Sequence, residues 1–279
     1  MRNALKRNIK HGKTLIPAFL LAAGAASPAL GQSHYHPEKT EIDNDMRQSA
    51  AAFAENYRLP DLSALRANGS CTNTGVDTPV IKLVTDWRTP VYDRYSSTIA
   101  DLTEQFSSNG EPLDPNTRVL GLNSPRLNYT ASLHSEMRTP AGGAPCLTVT
   151  EVTVNVTLLQ DIKIASDLLD HSCYAESVKT HEDLHAIFNT KAMKNFAPLI
   201  ERFGRDMGRE MTGTAVPDGK TATDVATEMS HTFLQMVGDI LNGALDAAQE
   251  KHDILDDPAN STLEMQHRER QCGYRLPLS

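Results

Sequence analysis

Three features are scarce in this sequence, and each absence argues against a class of protein. No two of the four cysteines lie at C-x-x-C spacing, which argues against a cysteine metal site. Basic residues number 27 against 35 acidic ones, and a chain of net charge −8 is a poor candidate for binding nucleic acid or an anionic membrane surface. After the N-terminal region no apolar run is long enough to span a bilayer, so we expect no stable membrane insertion.

The N-terminus has the pattern of a secretory signal peptide over residues 1–31. Five basic residues and no acidic one come first, an apolar run follows from Leu15 to about Ala26, and small residues lie at Ala29 and Gly31. A membrane anchor is the alternative, but the run is short and Pro17 breaks it. We predict cleavage near Gly31, which leaves a secreted or periplasmic chain with a net charge of −13, since the removed segment holds five basic residues and no acid.

All four cysteines follow the predicted cleavage site. They are Cys71, Cys146, Cys173 and Cys272. An even number of cysteines in an exported chain predicts two disulfides, and the residues alone leave three pairings open.

The remaining chain divides into a β-rich part and a helical part. Residues 32–70 read as a helix and a linker, long enough to serve as an inhibitory pro-segment. Residues 71–165 read mainly as strands, and the alternation over 152–158 predicts one buried face. Residues 166–279 read mainly as helices, with apolar side chains at helical spacing over 174–209 and 222–252. We predict one α+β domain over 71–279, in which the β-rich half packs against an antiparallel helix hairpin.

The chemistry lies in the run His181-Glu182-Asp183-Leu184-His185 on the first long helix. Histidines four residues apart share one face of a helix, so both rings can reach one zinc ion. Glu182 is placed beside them to act as general base and then general acid, and zinc lowers the pKa of a bound water to about 7. This HExxH pattern predicts a zinc site with His181 and His185 as ligands and Glu182 as the catalytic residue.

A catalytic zinc usually has three protein ligands, so one more must come from farther along the chain. In a hairpin whose loop is centred near residue 215, facing residues have numbers that sum to about 430, which places about 245–249 opposite the histidines. The candidates in reach are His252, which we prefer, and Asp253, Glu250 and Asp246. His171 and His267 remain open if the hairpin is wrong.

The sequence around the motif resembles the bacterial family described as predicted secreted zinc-dependent proteases. The likeness covers about 119–205, and more loosely the tail to Cys272; it rests on 146–149, 152–158, 162–165, 172–174 and the HExxH run. It implies peptidase activity and pairing of Cys146 with Cys173 and of Cys71 with Cys272. The family's later His-Gly is absent from 252–258, so His252 and Asp253 both stay open as ligands.

Together these patterns predict a zinc-dependent metallopeptidase that hydrolyses peptide bonds of a peptide or protein substrate outside the cytoplasm. Two alternatives stand beside it. The first is an exported, non-catalytic zinc-binding structural or assembly protein, in which the metal has no open position. The second is a zinc amidase that acts on cell-wall peptides, with the same metal chemistry and a different substrate.

Overall fold

The longest strand, β5 (Cys146–Ile164), lies inside a mixed sheet. The computed structural model describes residues 4–15, 35–66, 71, 78–108, 117–139 and 143–276. Every even-numbered side chain of β5 from Val152 to Ile164 is buried, because successive strand residues point to opposite faces of the sheet. The predicted buried face over 152–158 is therefore confirmed, and it extends further than the valines alone indicated.

Four strands pair directly with β5. They are β4 (Gly121–Arg138) and β6 (Thr214–Ala215), both antiparallel, and β2 (Val80–Trp87) and β3 (Val91–Arg94), both parallel. A further strand, β1 (Ala4–Leu15), pairs antiparallel with β4. The sheet order is β1-β4-β5-β2, so β4 and β5 form its centre.

The C-terminal half is helical, as predicted, and the fold is α+β. The helices are α1 (Lys39–Asn56), α2 (Ser63–Arg66), α3 (Ile99–Ser108), α4 (Ser172–Met211), α5 (Ala222–Leu255) and α6 (Pro258–Cys272). The long helices α4 and α5 pack against each other as a hairpin, and both contact the sheet. The β-rich part also contains α3, which the sequence analysis did not identify.

Local sequence sets the two helix starts that matter most here. Thr221 and Asp224 form a reciprocal capping box at the start of α5. At the next junction the Asp257 side chain accepts from the backbone N–H groups of Ala259 and Asn260, and Pro258 occupies the first turn of α6. Only Asp256 and Asp257 separate α5 from α6, so α6 turns back immediately beside the end of α5.

The N-terminal signal peptide remains a prediction. Residues 4–15 form β1, whereas most of the apolar run and the cleavage site near Gly31 lie outside the described residues. Among the helices of the described chain, none combines the length and apolar character that a membrane span requires.

Two disulfides are present, but the pairing implied by the family resemblance is wrong. Cys71 pairs with Cys146 across a Cα–Cα distance of 6.4 Å, and Cys173 pairs with Cys272 across 5.7 Å. The cause is the return of α6 along the start of α4, which brings the last residue of α6 to the first turn of α4. Two disulfides are consistent with a location outside the cytoplasm.

This pairing predicts the result of peptide mapping under non-reducing conditions. Linked peptides should join Cys71 to Cys146 and Cys173 to Cys272, and a link between Cys146 and Cys173 would contradict the fold.

The double variant Cys173→Ser/Cys272→Ser should lose about 2–5 kcal/mol of unfolding free energy in urea titration, as is typical when a native disulfide is removed.

Candidate metal centre

Three side chains from two helices meet at the end of the α4–α5 hairpin. His181 and His185 lie one turn apart on the buried face of α4 and are 1% and 0% exposed. Asp256, the residue that caps the C-terminus of α5, reaches between them, and its side chain is 15% exposed. The group therefore lies in the interior, with one edge towards solvent.

The spacing of the three ligand atoms matches a tetrahedral metal site. Nε2 of His181 lies 3.1 Å from Nε2 of His185 and 3.1 Å from Oδ1 of Asp256. Nε2 of His185 lies 3.2 Å from the same Asp256 oxygen. Ligands about 2.0–2.1 Å from a tetrahedral zinc are about 3.3 Å apart. The spacing of the three atoms is therefore that of one face of such a tetrahedron.

A charged network holds the ring of His181. Its Nδ1 lies 2.9 Å from Oε2 of Glu264 on α6, and because a carboxylate only accepts, this nitrogen is the donor. The other Glu264 oxygen accepts from the buried guanidinium of Arg268, which also donates to Ser177. An outer carboxylate of this kind fixes the orientation of a metal-binding imidazole.

A neutral network holds the ring of His185. Its Nδ1 lies 2.5 Å from Nδ1 of His252 on α5, and Nε2 of His252 lies 3.0 Å from Oδ1 of Asn189. His185, His252 and Asn189 are all buried. The two histidines of the motif are therefore supported differently, one by a carboxylate and the other by a second imidazole.

Glu182 is buried with neither carboxylate oxygen hydrogen-bonded to any described residue. A carboxylate in this state ordinarily costs about 1–3 kcal/mol or more, so the position calls for a donor such as a water in the site. The side chain has room only because residue 121, at the start of β4, is glycine. A Cβ at Gly121 would lie 2.7 Å from Oε1 of Glu182.

The charges of the cluster can be balanced by a divalent cation or by protons. Asp256, Glu264 and Glu182 are opposed by the single guanidinium of Arg268, which leaves two excess negative charges when all three acids are ionised. Burial raises the pKa of Glu182 to about 8. Burial acts to lower the pKa of His181, but Glu264 and Asp256 outweigh it and raise the pKa to about 10. Without metal, two protons thus neutralise the cluster at pH 7.

One cleft of about 360 Å³ reaches the site along α4 and α6. His181 and Glu264 line it, as do Tyr35 and His36, which precede α1. The backbone N–H of Tyr35 donates to the side chain of Asn260, which ties this N-terminal segment to α6. A larger cavity near α3, lined by Thr98 and Arg118 among others, does not touch the cluster.

The structure separates the four candidates for a third ligand. Asp246, Glu250 and Asp253 are exposed on the outer face of α5, where Asp253 accepts from Gln249. His252 is buried, but its two nitrogens face His185 Nδ1 and Asn189 rather than the three-atom group. Asp256, not among the candidates, occupies the third corner. Of the remaining two, His171 contacts Tyr274, and His267 lines the cleft.

Two of the supporting residues had a signal in the sequence. Asn189 continues the stripe of His181 and His185 at the next i+4 position. Gln160, whose side-chain oxygen accepts a hydrogen bond from Asn189, continues the buried face of β5. A polar residue at a position that periodicity predicts to be buried is an informative exception. Asp256 and Glu264 had no such signal, because they are brought in by the turn between α5 and α6.

Comparison with models of protein families, with curated proteins and with solved structures gives no match. The resemblance to secreted zinc-dependent proteases therefore remains a prediction from the sequence.

The assignment of Asp256 as the third ligand can be tested with two matched variants at the C-terminal end of α5. Loss of a residue that only hydrogen-bonds a metal ligand weakens metal binding about 10–100-fold. Asp256→Asn should weaken zinc binding by more than this, because it changes a direct ligand. Asp253→Asn, three residues earlier and exposed, should leave the affinity unchanged. Competition with a chromophoric chelator measures both, and the opposite ranking would contradict the assignment.

Metal binding should also release protons. Because His181 and Glu182 both carry a proton in the metal-free protein at pH 7, zinc should displace about two protons, and its affinity should fall as the pH falls. Calorimetric titration in two buffers of different ionisation enthalpy measures the number. A heat independent of the buffer would show that no proton leaves.

Proposed function

We propose that this protein is a zinc-dependent metallopeptidase that acts outside the cytoplasm. The observation that carries the proposal is the buried Glu182 carboxylate, which accepts no hydrogen bond from any described residue. It belongs to the same helical motif as two imidazoles that lie, with a further carboxylate, at tetrahedral spacing. A purely structural zinc site needs no such additional acid. Imidazole and carboxylate ligands suit zinc, and the fourth position would be open to a water or a substrate carbonyl.

Each residue has a distinct part in this proposal. His181, His185 and Asp256 would bind the metal, while Glu264 and His252 hold the two rings in place. When bound, zinc supplies a Lewis acid that polarises the scissile carbonyl and lowers the pKa of a water. Glu182 would take the proton from the attacking water and pass it to the leaving amine. Burial acts to raise the pKa of Glu182 above its ordinary value, and a carboxylate whose pKa is raised is the better proton acceptor.

Burial of the cluster supports a second candidate, a structural zinc site. Both histidines are almost fully buried, and the cleft beside them is lined by Tyr35 and His36. Of the three candidate ligand residues, His181 lines this cleft, whereas His185 and Asp256 do not. A peptide bound in the cleft would therefore contact the site from the His181 side. A structural site needs no such contact, and it predicts that zinc contributes to stability while Glu182 contributes nothing to turnover.

One substitution separates the two candidates. Glu182→Gln should retain zinc but lose at least about 100-fold in hydrolysis, because general base catalysis contributes about 10²–10⁴-fold. Glu201→Gln, on the exposed face of the same helix, is the matched control and should keep full activity. The assay measures release of new amino termini from unfolded proteins, a peptide library and cell-wall peptides.

Each outcome of this assay has a defined meaning. Hydrolysis of cell-wall peptides alone would favour the amidase over the peptidase. No hydrolysis by the zinc-loaded wild type, together with a large zinc-dependent gain in stability, would overturn the enzyme proposal in favour of the structural site. Equal activity of Glu182→Gln and the wild type would remove Glu182 from the chemistry.

A further inference from the structure

Gln160, Asn189 and His252 connect β5 to the metal-binding face of α4 through a continuous row of hydrogen bonds. Gln160 Nε2 donates to the backbone carbonyl of Ala186 at 3.2 Å, and Gln160 Oε1 accepts from Asn189 Nδ2 at 3.1 Å. The row continues from Asn189 Oδ1 to His252 Nε2 and from His252 Nδ1 to His185 Nδ1. All the side chains in the row are buried.

The direction of this row follows from its first member. A backbone carbonyl can only accept, so Gln160 must present its NH₂ group to Ala186 and its oxygen to Asn189. Asn189 must then present its NH₂ group to Gln160 and its oxygen to His252. That oxygen requires a proton on His252 Nε2.

The same reasoning fixes the two rings. His252 is buried, and its nitrogens face the Asn189 Oδ1 and His185 Nδ1 atoms, so a second proton would place a positive charge beside uncharged partners in the interior; the ring therefore carries a single proton. With its proton on Nε2, His252 can only accept at Nδ1. The proton between the two Nδ1 atoms therefore belongs to His185, and His185 Nε2 is the nitrogen that faces His181 and Asp256.

We propose that Gln160, Asn189 and His252 are positioning residues that hold His185 in its Nδ1–H tautomer, so that Nε2 is the metal-binding atom. The inference rests on the proposed metal site and adds to it what selects the binding nitrogen. His252, a candidate ligand from the sequence, thereby acts on the metal through His185. Reversing the tautomer would reverse every bond in the row and place the Gln160 oxygen against the Ala186 carbonyl oxygen, 3.2 Å away.

The two histidines consequently differ in electronic character. His181 donates to the anionic Glu264, which makes His181 the more basic ligand. His185 contacts the uncharged imidazole of His252, which makes His185 the less basic of the two. Since the row from Gln160 to His252 contains no carboxylate, it orients His185 without adding to the buried negative charge.

The tautomer can be measured directly in the metal-free protein. Long-range ¹H–¹⁵N correlation spectra of ¹⁵N-histidine-labelled full chain distinguish a protonated ring nitrogen from an unprotonated one. We expect a protonated Nδ1 and an unprotonated Nε2 for His185, and the reverse for His252. The opposite pattern for His185 would overturn the inference, and this measurement needs no variant.

Two substitutions at one position test the consequence for metal binding. His252→Leu removes the acceptor for His185 Nδ1–H, and it should mix the two tautomers of His185 and weaken zinc binding about 10–100-fold. His252→Asn keeps a carbonyl acceptor and should restore the tautomer and most of the affinity. Asn189→Leu, one bond farther away, should act in the same direction as His252→Leu, and far-ultraviolet circular dichroism shows whether each variant is folded.

The outcomes separate this inference from the proposed function. If His252→Leu keeps the Nδ1–H tautomer of His185 and binds zinc as the wild type does, the positioning role is wrong while the metal site stands. If the wild type shows the expected tautomer but binds no zinc, the proposed function fails and the row is only structural. Peptidase activity enters neither comparison.

Discussion

Burial of three carboxylates and the two imidazoles of His181 and His185 between α4, α5 and α6 is the constraint on which this structure depends. Charged groups removed from water are costly unless other charges and hydrogen bonds compensate them. Arg268 compensates one carboxylate, and either a divalent cation or two protons compensates the rest. Such a cluster links metal binding to folding, since the unfolded chain cannot hold its ligands together. The disulfide from Cys173 to Cys272 supports the same arrangement by joining α6 to the start of α4.

Two residues of the sheet, Gly121 and Gln160, affect the positions of side chains in the site. Gly121 of β4 leaves the space that the Glu182 side chain occupies, and Gln160 of β5 starts the hydrogen-bond row that ends on His185. Both positions lie on strand faces packed against α4. The central strands therefore determine where the acid sits and which nitrogen of one histidine faces the cluster, while the helices supply the ligand atoms.

Local periodicity was enough to predict the α+β class, the two long helices, the buried face of β5 and the pairing of His181 with His185 on one helix face. It did not predict the third corner. A hairpin loop centred near residue 215 predicts that facing residues of α4 and α5 have numbers that sum to about 430. In the structure His181 contacts Asp256 and His185 contacts His252, and both pairs sum to 437. The facing residues on α5 are therefore about seven positions later than predicted. An apolar stripe repeats every three to four residues, so it determines which faces meet but not how far one helix is displaced along the other. The disulfide pairing was wrong for a related reason, because it depends on where α6 returns.

The most direct test of the metal centre is X-ray absorption spectroscopy at the zinc edge on the loaded full chain. A site formed by His181, His185 and Asp256 should give a first shell of nitrogen and oxygen atoms only, with multiple scattering from two imidazoles. His185→Ala should lose one of the two imidazoles. Scattering from three imidazoles would return His252 to the ligand set and contradict both the role of Asp256 and the orientation inferred for the His252 ring.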